Sequence, residues 1–181
     1  MPRWLLLLFF TASVLTAQTT RYGSNASVGR TFTHDGVKLY YEVYGSGEPL
    51  LVVHPNGTSI AAMKPQIEYF RKHYRVIAMD TRDHGKSGDS TGPLTYEQMT
   101  ADLAALLDHL KVPAVNVIGW SDGAIEALLL GMKYPTKVGK IAATGANLNP
   151  STEAVYPETV ALAKQMLASI PAANREKPSG N

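Results

Sequence analysis

One stretch near the middle of the chain constrains the fold more than any other. Residues 115–118 are rich in β-branched side chains, Gly119-Trp-Ser-Asp-Gly123 follows, and a helix-forming run continues to Leu130. A strand, a sharp turn and a helix in this order would place Ser121 on a bend that raises its hydroxyl above the sheet and leaves room only for glycine on either side. The stretch predicts a nucleophile elbow, and an ordinary Gly-Ser turn between a strand and a helix is the alternative.

Length and composition limit the class of protein. With 181 residues, 45% of them hydrophobic and 18% charged, the chain is long enough for one domain with a hydrophobic core. The net charge is +2, and lysine and arginine form no cluster in the sequence, so we expect no nucleic-acid partner. The absence of cysteine excludes disulfides, thiolate metal sites and lipid attachment through cysteine. We expect no metal and no cofactor, and the oligomeric state is left open.

The first residues have the pattern of a secretory signal. Arg3 precedes an apolar run from Trp4 to Leu15, which is too short for a comfortable membrane span. We expect residues 1–17 to be a signal peptide cleaved after Ala17, with Ala26 as a second candidate and an uncleaved anchor as the alternative. The mature protein would then be secreted or periplasmic, without stable membrane association, and would begin with a linker over residues 18–29.

The rest of the pattern predicts an α/β domain. Two alternating runs flank Asp35-Gly36 and predict an antiparallel hairpin. Apolar runs typical of buried parallel strands then alternate with amphipathic segments. Strands are expected at 50–53, 74–79, 114–118 and 138–143, and helices at 65–72, 95–110 and 122–134. This order implies a mostly parallel sheet with helices on both faces and the antiparallel hairpin at its N-terminal edge.

Three motifs in a fixed order resemble the α/β-hydrolase superfamily. They are His54-Pro-Asn-Gly57, the loop of residues 80–87 (DTRDHGKS), and the elbow at Ser121. The resemblance covers residues 30–150, the N-terminal part of such a domain. Within the superfamily, the chain resembles the biphenyl-hydrolase-like (valacyclovir-hydrolase-like) group. This narrower resemblance rests on the elbow, on KYP at 133–135 and on GAN at 145–147. The resemblance to the superfamily implies the α/β-hydrolase fold, incomplete at the C-terminus, with residues 151–181 as the start of a lid region and a polar tail.

The resemblance implies a serine hydrolase that acts on esters or amides of small molecules. Ser121 would be the nucleophile, and the backbone N–H groups of Asn56 and Asp122 would form the oxyanion hole. Pro55 stands where the family usually has glycine, but the expected donor is the next residue. Asp122 would either receive a substrate ammonium group or simply suit the first turn of its helix.

The histidines do not fit the family order of Ser, then Asp or Glu, then His. All five precede Ser121, and no Asp follows Asp122. The resemblance assigns His54 and His84 to loop organisation rather than to the role of base. We therefore expect the chain to be a truncated hydrolase, a poor catalyst and a poorly stable domain. The alternative is a non-catalytic remnant of the fold that binds a ligand or partner.

Overall fold

A computed structural model describes residues 20–147 of the chain. Within this range the chain forms six strands, three helices and two short 3₁₀ segments, at Ile60–Met63 and Pro135–Lys137. The strands are β1 (Arg30–His34), β2 (Val37–Tyr44), β3 (Pro49–Val53), β4 (Arg75–Met79), β5 (Val115–Trp120) and β6 (Val138–Thr144). The helices are α1 (Lys64–Phe70), α2 (Tyr96–His109) and α3 (Asp122–Lys133).

The six strands form one mixed sheet in the order β1-β2-β4-β3-β5-β6. β2 is antiparallel to both of its neighbours, whereas β4, β3, β5 and β6 are mutually parallel. The hairpin between β1 and β2 turns at Asp35 and Gly36, whose φ angles of 45° and 75° are those of a type I′ turn. The predicted hairpin and mostly parallel sheet are therefore confirmed.

Helices cover both faces of the sheet. Successive residues of β3 and β4 belong alternately to two separate core clusters, as expected when side chains point to opposite faces. Leu51 and Ile77 belong to the cluster that packs against α2 and α3, whereas Leu50 and Val76 belong to the cluster that packs against α1. Each apolar helix face is thus buried on the sheet, which supplies the main hydrophobic stabilisation.

A buried carboxylate joins the segment before β1 to the sheet. Glu42 on β2 is fully buried and accepts hydrogen bonds from the backbone N–H groups of Gly23 and Asn25, at 2.8 and 2.9 Å. It also accepts hydrogen bonds from the hydroxyl groups of Tyr40 and Tyr44, both at 2.7 Å. Four donors satisfy the two carboxylate oxygens, so burial leaves neither oxygen without a partner.

The elbow strand differs from its predicted boundary. β5 continues two residues past Ile118, because Gly119 and Trp120 pair with Ala143 and Thr144 of β6. The expected signal peptide and the segment after residue 150 lie outside the described residues. Among residues 20–147, no helix is long and apolar enough to cross a membrane.

Candidate active site

Ser121 occupies the turn between β5 and α3. Its φ and ψ angles are 55° and −119°, a conformation that non-glycine residues rarely adopt. The turn is held because the Ser121 N–H donates to the carbonyl oxygen of Thr144, at 2.8 Å. The Ser121 side chain makes no capping hydrogen bond with α3. Backbone strain at one serine, held by the surrounding structure, is the geometry of a nucleophile elbow.

The two glycines of the motif make this bend possible. A Cβ atom on Gly119 would lie closer than 3.0 Å to the backbone of Gly123. A Cβ atom on Gly123 would come equally close to the carbonyl oxygens of Val53 and His54, at the end of β3. The glycines therefore allow α3 to start directly against β3 and β5.

A cavity of about 300 Å³ opens beside the elbow, which is the lower end of the range for small-molecule sites. Four stretches of chain line it: the loop after β3, the loop after β4, the start of α2 with the two residues before it, and the start of α3. The lining residues are His54, Asn56, Thr81, His84, Leu94, Thr95, Tyr96, Glu97, Met99, Asp122 and Glu126. Asn56 and Asp122, the expected oxyanion donors, thus line one cavity. Ser121 is not among the lining residues and directly precedes Asp122 in the chain.

His54 connects the first two loops and has both ring nitrogens engaged. Nδ1 lies 2.9 Å from the carbonyl oxygen of Pro55, and Nε2 accepts the N–H of Thr81 at 3.1 Å. These partners fix the neutral tautomer with the proton on Nδ1. Burial, and to a smaller extent the neighbouring His84, lowers the pKa of His54 to about 4. His54 is therefore uncharged at neutral pH.

His84 holds the loop that carries Asn56. Its Nδ1 lies 2.8 Å from the carbonyl oxygen of Arg82, and its Nε2 accepts the N–H of Gly57 at 3.1 Å. The Asn56 side-chain oxygen lies 2.9 Å from the same Nε2, so an amide rotated by half a turn would donate to it. These contacts fix the position of the Asn56 backbone, which is the part expected to contribute an oxyanion donor.

The opposite wall of the cavity is acidic. Asp122 begins α3, and Glu126 lies one turn further along the same helix face. Burial, and next the Asp122 carboxylate, raises the pKa of Tyr96 to about 12. Glu126 is 1% exposed, and its Oε2 has no hydrogen-bond partner in the described part of the chain. Burial, followed by the charges of Asp122 and Asp102, raises the pKa of Glu126 well above its usual value.

A buried ion pair supports the loop after β4 from below. Arg82 binds both carboxylate oxygens of Asp102 on α2, each at 2.6 Å, and both residues are almost fully buried. His34 Nδ1 lies 2.7 Å from one of these oxygens. Asp80 accepts the N–H groups of Ile60 and Lys86, each at 2.8 Å. The loop that carries His84 is thus fixed by polar contacts at both ends.

Sequence reasoning missed Tyr96, Thr81 and Glu126 as lining residues. Glu126 carried a usable signal, because it is an acidic residue four positions after Asp122 in an otherwise apolar helix. Tyr96 and Thr81 carried none, since their positions depend on how α2 and the loop after β4 pack. Among residues 20–147, no group of three or more His, Cys, Asp or Glu side chains is placed to hold a metal ion.

Known proteins are similar to this chain in sequence and in fold. A family model of the alpha/beta hydrolase fold matches residues 48–179. The chain is 34% identical over 113 residues to 3-oxoadipate enol-lactonase 2 of Acinetobacter baylyi, covering 61% of this chain and 42% of that protein. It is 33% identical over 138 residues to the serine hydrolase BPHL of Homo sapiens, covering 70% and 47%.

Solved structures give the same result. The enol-lactonase from Burkholderia xenovorans aligns with a TM-score of 0.65 and 29% identity, over 80% of this chain and 61% of that one. A hydrolase from Pseudomonas aeruginosa aligns with a TM-score of 0.66 and 26% identity, over 85% and 64%. The chain matches less than half the length of the two curated relatives named above. The family match covers most of the chain and includes the elbow and strands β3 to β6, so the chain belongs to the alpha/beta hydrolase fold family.

Proposed function

We propose that this protein is a serine hydrolase that cleaves esters or amides of small molecules, with Ser121 as the nucleophile. The observation that carries the proposal is the strained backbone of Ser121 at the junction of β5 and α3. The relatives support the substrate class, since they include an enol-lactonase and the serine hydrolase BPHL. The cavity beside the elbow is large enough for a small acyl compound.

The oxyanion hole is assigned to the backbone N–H groups of Asn56 and Asp122. The first N–H groups of a helix have no partner within the helix, which leaves the Asp122 donor available at the start of α3. Pro55 has no N–H, so Asn56 is the first donor of its loop after the proline. The bonds of His84 to Gly57 and Asn56 hold this loop in place. In the reaction, the Ser121 oxygen would attack the acyl carbon and lose its proton to solvent, while the two N–H groups stabilise the negative charge on the carbonyl oxygen. The alcohol or amine would leave with a proton from solvent, and water would then hydrolyse the acyl-serine.

The assignment includes no general base. His54 and His84 line the cavity, but both ring nitrogens of each are bonded to the surrounding loops. A histidine with a pKa of about 4 is also a weak base. In serine hydrolases, loss of the base costs up to about 10⁶ in rate and leaves about 10³ to 10⁴ over water from binding and the oxyanion hole.

The test is acylation of Ser121 by an activated acetate ester, measured by mass spectrometry of the digested protein. We expect an acetyl group on the peptide that contains Ser121, and slow release, because deacylation also requires a base. Ser121→Ala should remove this adduct, whereas the control Ser90→Ala, at a half-buried serine in another loop, should keep it. Equal acetylation of the wild type and Ser121→Ala would refute the assignment.

Export is a separate proposal. We propose that residues 1–17 direct secretion, because the single basic residue and the short apolar run have the composition of a signal peptide. The mature protein would then act outside the cytoplasm on compounds present there.

A further inference from the structure

Glu126 is a buried acidic residue of the cavity lining, and one of its carboxyl oxygens has no hydrogen-bond partner in the described part of the chain. It lies on α3, one turn after Asp122, and only 1% of its surface is exposed. It lines the cavity, and its Oε2 has no hydrogen-bond partner among residues 20–147. Leaving a buried polar atom unpaired is costly, so such an atom in a cavity wall marks a place where a ligand can bind.

The surroundings of Glu126 oppose a negative charge on it. Asp122 on the same helix and Asp102 on α2 both lie close enough to raise its pKa, although burial has the larger effect. No lysine or arginine lines the cavity in the described part of the chain, and Arg82 is already bound to Asp102. The remaining titratable lining groups are His54, which is neutral, together with Tyr96, His84 and Glu97. A buried carboxyl group without a cation partner keeps its proton.

We propose that Glu126 forms a polar subsite in which its protonated carboxyl group donates a hydrogen bond to an uncharged acceptor of the ligand, such as a carbonyl or ether oxygen. The subsite deepens the proposed function, since it rests on this cavity being the place where substrate binds. It selects for neutral acyl compounds with a second oxygen acceptor away from the scissile bond.

Charge explains why this ligand class is favoured. An anionic ligand group would meet Asp122 at the same wall and be repelled. A cationic group would be attracted to the Asp122 carboxylate, and pairing it with Glu126 would require Glu126 to lose its proton where burial disfavours the charged form. A neutral acceptor can take a hydrogen bond from the carboxyl O–H of Glu126 without a change in the charge of either group.

Three probes on one carbon framework test the proposal: 4-phenylbutan-2-one, protonated 4-phenylbutan-2-amine and 4-phenylbutanoate. Binding to the full chain is measured at pH 7 by NMR titration. We expect the ketone to bind more tightly than the other two probes. Glu126→Leu should weaken ketone binding about 3- to 10-fold, the usual effect of losing one hydrogen bond. Glu126→Gln keeps a donor of similar shape and should stay within about twofold of the wild type.

Glu68→Gln is the matched control, since Glu68 is exposed on α1 and does not line the cavity. It should leave ketone binding unchanged. Infrared difference spectra of wild type and Glu126→Gln should show a protonated carboxyl band at pH 7 that the variant lacks, and thermal unfolding checks that each variant is folded. The proposal is overturned if the band is absent, if Glu126→Leu binds the ketone as well as the wild type, if the amine binds best and is lost in Glu126→Gln, or if no probe binds.

These measurements separate the subsite from the catalytic assignment. Loss of Ser121 acetylation with ketone binding intact would remove the proposed function and leave the subsite. If Ser121 is acetylated but Glu126→Leu binds the ketone as well as the wild type, the subsite is refuted and the proposed function stands.

Discussion

Acid should destabilise this domain through one buried histidine. His54 has a pKa of about 4 in the folded protein, compared with 6.5 for an ordinary histidine, because it is buried and, to a smaller extent, because it lies next to His84. Between these pH values His54 binds a proton in the unfolded chain but not in the folded chain. The contribution of neutral His54 to the free energy of unfolding is therefore fully present above about pH 6.5 and is lost as the pH falls to about 4. The difference between the folded and unfolded pKa values of His54, at about 1.36 kcal/mol per pH unit, amounts to about 3 kcal/mol of free energy of unfolding.

The assay is urea unfolding of the wild type and His54→Gln at intervals from pH 7.5 to pH 4. Glutamine cannot titrate, and its amide oxygen can accept the Thr81 N–H in place of Nε2. Other groups, including Asp80 and Glu126, titrate in both proteins, so their effects cancel in the comparison. We expect the wild type to lose about 3 kcal/mol more free energy of unfolding than the variant over this range. Parallel curves, within about 0.5 kcal/mol at every pH, would refute the reasoning.

Three further results are expected. Gly123→Ala should lower the free energy of unfolding by about 1–3 kcal/mol or more, because the new Cβ would overlap main-chain oxygens at the end of β3. In the same urea experiment Gly92→Ala, which has open space around it, should change this value by less than about 0.5 kcal/mol, and equal effects would contradict the packing argument. Arg82→Met should cost about 3–5 kcal/mol in urea unfolding, since it leaves the Asp102 carboxylate buried without its main partner, and a loss below about 1 kcal/mol would contradict this. N-terminal sequencing of protein from the native host should begin at Gln18, whereas an intact Met1 in the cytoplasmic fraction would exclude export.

Much of the fold could be predicted because its signals are local. The period of apolar residues and the Asp35-Gly36 turn each depend on a few neighbouring residues, and each element formed within about two residues of its expected bounds. The position of Ser121 could be predicted for the same reason. A turn that only glycine permits on both sides is specified by five consecutive residues.

The cavity walls could not be predicted in the same way. Glu126 and Tyr96 meet there because α2 and α3 pack side by side, and no local pattern encodes that contact. The bonds of His54 and His84 also required the structure, since each joins residues that are 27 positions apart in the sequence. Roles that depend on tertiary packing are set by distances that the sequence does not display.

The carboxylate of Glu42 gives the segment before β1 an unusual physical property. The amides of Gly23 and Asn25 lie outside any helix or strand, yet both donate to a fully buried anion. Their hydrogen exchange with deuterated water should therefore be as slow as that of strand amides, because exchange requires β2 and its tyrosines to separate from the segment. One buried side chain thus gives an irregular stretch the slow amide exchange that is usual for a strand.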